Sequence, residues 1–341
     1  MAMEIRTTGR AVPARKVTND ELAKTMETSD EWIRSHTGIG ARHIADDSVA
    51  ASDLAIEASR RALESLAAED GITAEEAAAS LDLIIVATAS PDYLGFPSTA
   101  CLVQAALGAT KAAAMDVAAG CSGFIYGMDA AAGMLATVGT RKRALVIGTE
   151  VLTRITDWED RGTSVLFGDG AGAAILEKTA APSEGKGKRG IIRSLLGADG
   201  TGAEHLIMHR GGGRFPFKKG ETVEKPIHIE MNGRAVYNFA VKIVVETIER
   251  LMAEEGISAD ALTRIVPHQA NARIVQAAAK RLGVPEEKFY LNIEEYANTS
   301  AASIPIALDE LARSGSLKRG DLILTVGFGA GLTYGGNLIV W

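Results

Sequence analysis

Cysteine is scarce in this chain: its 341 residues include two, Cys101 and Cys121. Two cysteines cannot knit a disulfide framework, and their scarcity fits a reducing compartment, so a cytoplasmic protein is expected. Long hydrophobic runs are missing as well. Apolar stretches such as LDLIIVATA (81–89) fall well short of the ~20 residues that cross a bilayer, so no membrane association is expected. The N-terminus, MAMEIRTTGR, has no apolar run of the kind that marks a secretory signal. Positive charge is not in excess either. The net charge is −7, which weighs against nucleic acid as a partner. An acidic partner would therefore have to be met by a local basic patch.

Hydrophobic residues make up 47 % and charged residues 23 %, an ordinary globular balance with material for a large core. Residues 50–68 carry apolar side chains at helical spacing. The Ile- and Val-rich runs at 81–89 and 143–152 read as buried strands, and AAMDVA (113–118) as a short strand. PSTACLVQAALG (97–108) reads as a helix closed by Gly108. SVLFGDGAGAAILEKT (164–179) is expected to form two strands around a Gly-Asp-Gly turn. The second half repeats the rhythm: helix 232–256, strand 262–270, helix 271–283, helix 304–315, then strand, Gly-rich turn and strand over 321–341. The repetition implies a duplicated α/β architecture, with halves 1–178 and 179–341 joined near the polar, Gly-rich APSEGKGKRG (181–190). HRGGGRFPFKKGETVEKP (209–226) reads as a flexible surface loop.

Cys121 lies in DVAAGCSGF (116–124), where a strand gives way to a helix. Free cysteine is often an inert core residue. Here, unpaired N–H groups and the helix dipole favour an anion, and Gly120 and Gly123 admit another molecule close to the backbone. A dipole worth ~1 kcal/mol lowers a thiol pKa by somewhat under one unit, so the helix end by itself is expected to supply a usable thiolate. Candidate partners are His268 in VPHQANAR (266–273) and Asn298 in YANTSAAS (296–303). Cys, His and Asn together admit two readings. One is a papain-like protease, with Asn orienting a His base. The other is an acyl-transfer synthase, with His and Asn as two donors to a developing oxyanion. The local cysteine signature of papain-like proteases is absent.

TSDEWI (28–33), DVAAGCSGF (116–124), DRGTSVLFGDGAGAA (160–174), VPHQAN (266–271), NTSAASIP (298–305) and FGAGLTYG (328–335) occur in that order. As a set they resemble the β-ketoacyl-acyl-carrier-protein synthase III family of the thiolase superfamily, along essentially the whole chain. The resemblance implies an α/β fold of two thiolase-like βαβαβαββ halves in an α-β-α-β-α core, as a homodimer. It implies a decarboxylating Claisen condensation of an acyl-coenzyme A starter with malonyl-acyl carrier protein, through an acyl-cysteine. Starter condensation or acyl transfer in polyketide or other secondary metabolism is the alternative activity. No metal and no permanently bound cofactor is implied, coenzyme A thioester being a substrate.

By the same resemblance Cys121 is the nucleophile, and His268 and Asn298 bind the malonyl thioester oxygen. Phe328 lines the cleft, and the amides of Cys121 and Ala330 form a second oxyanion hole. Trp32 and Arg161 sandwich the adenine of coenzyme A, with Thr28 and Asn271 as further contacts. Arg273, Lys280 and Arg281, on one helical face, dock the acidic carrier protein. A loop bearing Phe96 is expected to reach from one subunit of the dimer toward the other's acyl pocket. His36 stands where that family commonly has arginine, and Asn238 where it often has lysine.

Overall fold

A computed structural model describes residues 1–180, 189–209, 211–220 and 227–341. Strands β1 (Ala2–Ala11), β2 (Leu83–Ala87), β3 (Ala113–Val117), β4 (Arg143–Val151) and β5 (Asp169–Thr179) form one sheet in the order β1-β5-β4-β2-β3. β2 runs parallel to β3 and β4, and β5 antiparallel to β1 and β4. Strands β6 (Gly190–Ala198), β7 (Arg264–Pro267), β8 (Leu322–Gly329) and β9 (Thr333–Val340) form a second sheet, ordered β7-β8-β9-β6. Read from β6, this is the order of the first sheet without its last strand. The place of β3 is taken by Phe289 and Tyr290. Phe289 bridges Ile265, and the Tyr290 N–H donates to the Ile265 carbonyl at 2.8 Å.

The helices that matter for the site are α1 (Asp30–Thr37), α2 (Ala51–Asp70), α3 (Thr99–Leu107), α4 (Gly123–Thr137), α5 (Gly233–Glu255), α6 (Ala272–Leu282) and α7 (Ser303–Arg313). On α2, Leu54, Ala55, Ala58, Ala62, Leu63 and Leu66 recur at three- and four-residue steps and are buried, so one stripe packs on the first sheet. Gly71, in the left-handed region, ends that helix. α5 and α6 cover the outer face of the second sheet in the same way. α4 and α7 lie between the two sheets. Phe124, Ile125, Met128, Ile304, Leu308 and Leu311 form one core with strand residues of both, which is why α4 carries a single charged residue, Asp129. The result is five layers, helix-sheet-helix-sheet-helix.

The expected pair of strands at 164–179 is not formed. A short helix, Arg161–Ser164, precedes the single strand β5, and Gly168-Asp169-Gly170 leads straight into it. The glycines answer close approach rather than a turn. A Cβ at Gly172 would stand 2.6 Å from the Ile306 nitrogen, and one at Gly168 2.7 Å from the Tyr296 carbonyl oxygen. The junction expected at 181–190 lies almost wholly outside the described residues, as do 210 and 221–226 of the loop expected to be flexible.

Candidate active site

Both central helices are entered through a single 3-10 turn, Gly120–Ser122 before α4 and Ser300–Ala302 before α7. Each turn begins at positive φ, +50° at Gly120 and +46° at Ser300. The two turns meet each other, and the first also meets the end of β8, so two helix N-termini converge on one spot. The approach requires glycine. A Cβ on Gly329 would lie 2.3 Å from the Cys121 nitrogen, and one on Gly120 2.7 Å from the Ala330 nitrogen. Cys121 and Ala330 therefore have adjacent backbones.

Cys121, His268, Asn298 and Phe328 line one cavity of about 250 Å³, together with Trp32, His36, Arg161 and Asn271. His268 leaves the end of β7, is buried, and meets Phe328 edge-to-face with ring centres 5.5 Å apart. Burial pulls its pKa down to about 3, so the imidazole is neutral. Its Nδ1 lies 2.8 Å from the Ser303 hydroxyl oxygen, which leaves Nε2 for a ligand. Asn298 is buried as well, and its Oδ1 accepts the Ser300 N–H at 2.8 Å. A neutral imidazole and an oriented amide are suited to donating hydrogen bonds to an oxygen on which charge develops.

The thiol departs from the sequence-based expectation. Cys121 is half-buried and faces the cavity, but the protein packed around it desolvates the thiol and pushes its pKa up to about 12. The Ser300 side chain and the residue's own N–H act against that shift without cancelling it. Desolvation outweighs the helix end, so the resting residue is a thiol. On its other side lies a smaller apolar pocket of about 110 Å³, lined by Leu152, Ile155, Phe167, Leu206 and Ala330.

Trp32 and Arg161 are brought together, with the guanidinium carbon 4.8 Å from the indole centre. That is direct contact, so a flat ring enters between them only after Arg161 moves off. His36 stacks on Trp32 with centroids 4.4 Å apart. Asn271, expected at the ligand, lines the cavity but spends its amide on structure: Oδ1 caps α6 at the Arg273 N–H, and Nδ2 donates to the His36 carbonyl. Thr28, expected at coenzyme A, has a buried hydroxyl with no protein partner among the described residues and is not among the residues that line the cavity. Arg273, Lys280 and Arg281 are exposed on α6, and none is in an ion pair among the described residues. The Arg273 Nε donates to the Ser35 carbonyl, tying α6 to the helix that carries Trp32. Asn238 is exposed on α5.

Sequence reading passed over Ser300, Ser303 and Glu150. The serines were hidden in a tract whose composition reads as a turn. Glu150 carried a signal, being a lone carboxylate inside the apolar strand ALVIGTEVL.

Comparison with known proteins agrees with this geometry. Residues 115–200 match the family model for 3-oxoacyl-[acyl-carrier-protein] synthase III, and residues 252–341 the model for its C-terminal part. A β-ketoacyl-[acyl-carrier-protein] synthase III of Caldanaerobacter subterraneus subsp. tengcongensis is 50 % identical, over 98 % of this chain and 96 % of its own. The crystal structure of 3-oxoacyl-[acyl-carrier-protein] synthase III from Aquifex aeolicus is 40 % identical, with a TM-score of 0.86 and full coverage of both chains. The priming β-ketosynthase of the R1128 polyketide pathway is 34 % identical over 99 % of this chain and 96 % of its own, with a TM-score of 0.87. The chain belongs to the β-ketoacyl-acyl-carrier-protein synthase III family of thiolase-fold condensing enzymes.

Proposed function

We propose that this enzyme primes fatty-acid synthesis by condensing an acyl-coenzyme A starter with malonyl-acyl carrier protein. The observation that carries the reading is the single cavity shared by Cys121, His268, Asn298 and Phe328, with Trp32 and Arg161 also on its wall. Cys121 attacks the starter thioester, and the amides of Cys121 and Ala330 take the oxyanion. The acyl chain enters the apolar pocket behind the sulfur, and coenzyme A leaves. Malonyl-carrier protein then places its thioester oxygen between His268 and Asn298. Loss of carbon dioxide leaves an enolate whose charge those two donors stabilise. Its carbon attacks the acyl-cysteine carbonyl, and the tetrahedral intermediate expels the Cys121 thiolate, a good leaving group.

Among the described residues the edge strand β3 has no neighbour on its outer side, and Tyr93, Leu94 and Phe96, in the segment between β2 and α3, are exposed, Phe96 by 89 %. A homodimer formed across this edge covers them and brings Phe96 toward the neighbouring acyl pocket. Halves 1–178 and 179–341 are read as copies of one duplicated unit, a reading that the matching strand orders of the two sheets support. No helix among the described residues is long and apolar enough to cross a membrane.

The polyketide-priming relative supports a second reading, starter condensation in secondary metabolism. One experiment tests the activity: incubation with acetyl-coenzyme A, detection of the added acyl mass on the Cys121 peptide, then addition of malonyl-carrier protein. Release of carbon dioxide and 3-oxoacyl-carrier protein is expected. Acylation that malonyl-carrier protein does not discharge would refute the condensation. Carrier proteins of the two pathways, compared by kcat/KM, separate the two readings.

A further inference from the structure

The Cys121 thiol rests protonated, yet acyl transfer needs its proton to leave. His268 already has a role as donor in the second half-reaction. A different group faces the sulfur. Ser300, whose hydroxyl is within hydrogen-bonding reach of Cys121, is also within reach of the Glu150 carboxylate on β4. Ser300 and Cys121 line the same apolar pocket.

Two observations set this trio apart from ordinary packing. First, Ser300 sits at φ +46°, where its counterpart in the first half is Gly120 at φ +50°. A residue with a side chain is strained there, and glycine would serve the backbone better. The strain is kept together with a hydroxyl aimed between a nucleophile and a carboxylate. Second, every polar group around Glu150 is able to donate to it, and two of them, the Ala89 and Ala301 N–H groups, can do nothing else. Ser90 Oγ donates at 2.6 Å, the Ala89 N–H at 3.0 Å and Thr88 Oγ1 at 3.3 Å, and the Ala301 N–H and the Ser300 hydroxyl also face it. Ser90 Oγ also accepts the Val151 N–H, which occupies one of its lone pairs. Such a set fits an ionised carboxylate. Glu150 is fully buried, and burial acts against that charge, which primes it to accept a proton.

We propose that Ser300 is a catalytic residue that passes the Cys121 thiol proton to Glu150 as the starter thioester arrives. The inference rests on the acyl-cysteine chemistry proposed above. In the forward step the Cys121 S–H bond breaks, the proton goes to the Ser300 oxygen, and the Ser300 proton goes to Glu150. The negative charge thereby moves from Glu150 to the sulfur, and the buried site never holds two. The sulfur bonds to the acyl carbon, and the bond from that carbon to the coenzyme A sulfur breaks. The departing thiolate recovers a proton from Glu150 through Ser300, which restores the carboxylate.

Single-turnover acylation by acetyl-coenzyme A, followed by intact-protein mass, tests this in Ser300→Gly, Glu150→Gln and the double variant. Ser300→Gly relieves the backbone strain and keeps the N–H that orients Asn298, so it is expected to fold. Each single variant should acylate about 10²-fold more slowly, in line with one positioned proton acceptor. The double variant should be no slower than either, because the two groups act in series. The solvent deuterium effect on wild-type acylation should shrink in both. Malonyl-carrier protein decarboxylation, measured in parallel, should fall much less. Wild-type acylation rates in Ser300→Gly, or additive losses in the double variant, would overturn the relay. Should Glu150→Gln fail to fold, Ser300→Gly decides alone. A wild-type protein that gains no acyl mass would instead sink the acyl-cysteine reading itself.

Discussion

The Asn298 side-chain oxygen accepts the Ser300 backbone N–H at 2.8 Å, and this contact decides which end of the amide faces the cavity. An N–H needs an acceptor, so the oxygen turns inward and the NH₂ group is left to donate. Asn298→Asp keeps the acceptor and removes the donor, so the turn is preserved while a carboxylate oxygen confronts the enolate. Decarboxylation of malonyl-carrier protein should fall by about 10²–10³, the usual cost of one oxyanion donor. Acylation by acetyl-coenzyme A should suffer far less. Carbon dioxide release and acyl-enzyme mass, measured side by side, check the split; the reverse pattern would place Asn298 in the first half-reaction.

Ser303 controls the histidine. Its hydroxyl oxygen lies 2.8 Å from both His268 Nδ1 and the Ser300 carbonyl, but it has one proton to give. Given to Nδ1, that proton places the imidazole hydrogen on Nε2, the tautomer that can donate to a thioester oxygen. Given to the Ser300 carbonyl, it forces the hydrogen onto Nδ1 and leaves Nε2 an acceptor. Ser303→Ala abolishes the choice and should slow decarboxylation about 10-fold, the scale of one lost hydrogen bond. Nitrogen NMR of His268 should show the Nε2–H form in the wild type with a bound malonyl-thioester analogue. An Nδ1–H form there would refute the donor role.

Much of this architecture was legible because burial and periodicity write themselves into sequence. The stripe on α2, the Val- and Ile-rich strands β2 and β4, and the glycines after α3 and α6 each have one local cause, and each formed where expected. Gly168, Gly170 and Gly172 misled for the opposite reason. Their smallness answers Tyr296, Pro305 and Ile306, more than a hundred residues away. The thiol misled similarly. A helix end can be read locally, but the desolvation that overrides it comes from residues scattered along the chain. Ser300 and Ser303 stayed hidden because nothing local separates a serine that serves a reaction from one that serves a turn.

A pH series probes the buried imidazole. With its pKa pulled from 6.5 to about 3, His268 stays neutral through the working range. Decarboxylation by Cys121→Ala should therefore show no inflection near pH 6.5, where an exposed histidine would begin to titrate. Stability follows the same displacement. Below pH 6.5 the unfolded chain takes up a proton that the folded chain refuses, so the contribution is complete above pH 6.5 and is lost as pH falls toward 3. Between pH 6.5 and 5 it amounts to about 2 kcal/mol. The fall in Tm from pH 7 to pH 5 should accordingly be smaller in His268→Gln than in the wild type. Equal falls would show that the ring is protonated in the fold.

The basic end of α6 gives a cleaner docking test than its first turn. Arg273 is the α6 cation nearest His268 in sequence, but its Nε also holds the Ser35 carbonyl, and Trp32 sits on the same helix as Ser35. Arg273→Glu should thus raise KM for malonyl-carrier protein and for acetyl-coenzyme A together. Lys280 and Arg281 are exposed in the last turn, with no ion pair among the described residues. Lys280→Glu and Arg281→Glu should raise KM for malonyl-carrier protein alone, since they add repulsion against an acidic surface and touch nothing at the Trp32 helix. Each reversal also places an anion at a helix C-terminus, so a Tm loss worth up to ~1 kcal/mol is expected. That loss should not depend on which substrate is assayed. The KM defect should be largest at low salt and shrink as screening shortens from about 30 Å at 0.01 M to about 8 Å at 0.15 M. Steady-state kinetics with both substrates at two salt concentrations separates these effects. An unchanged KM for carrier protein in both reversals would remove α6 from the docking surface and leave Arg273 as a strut between two helices.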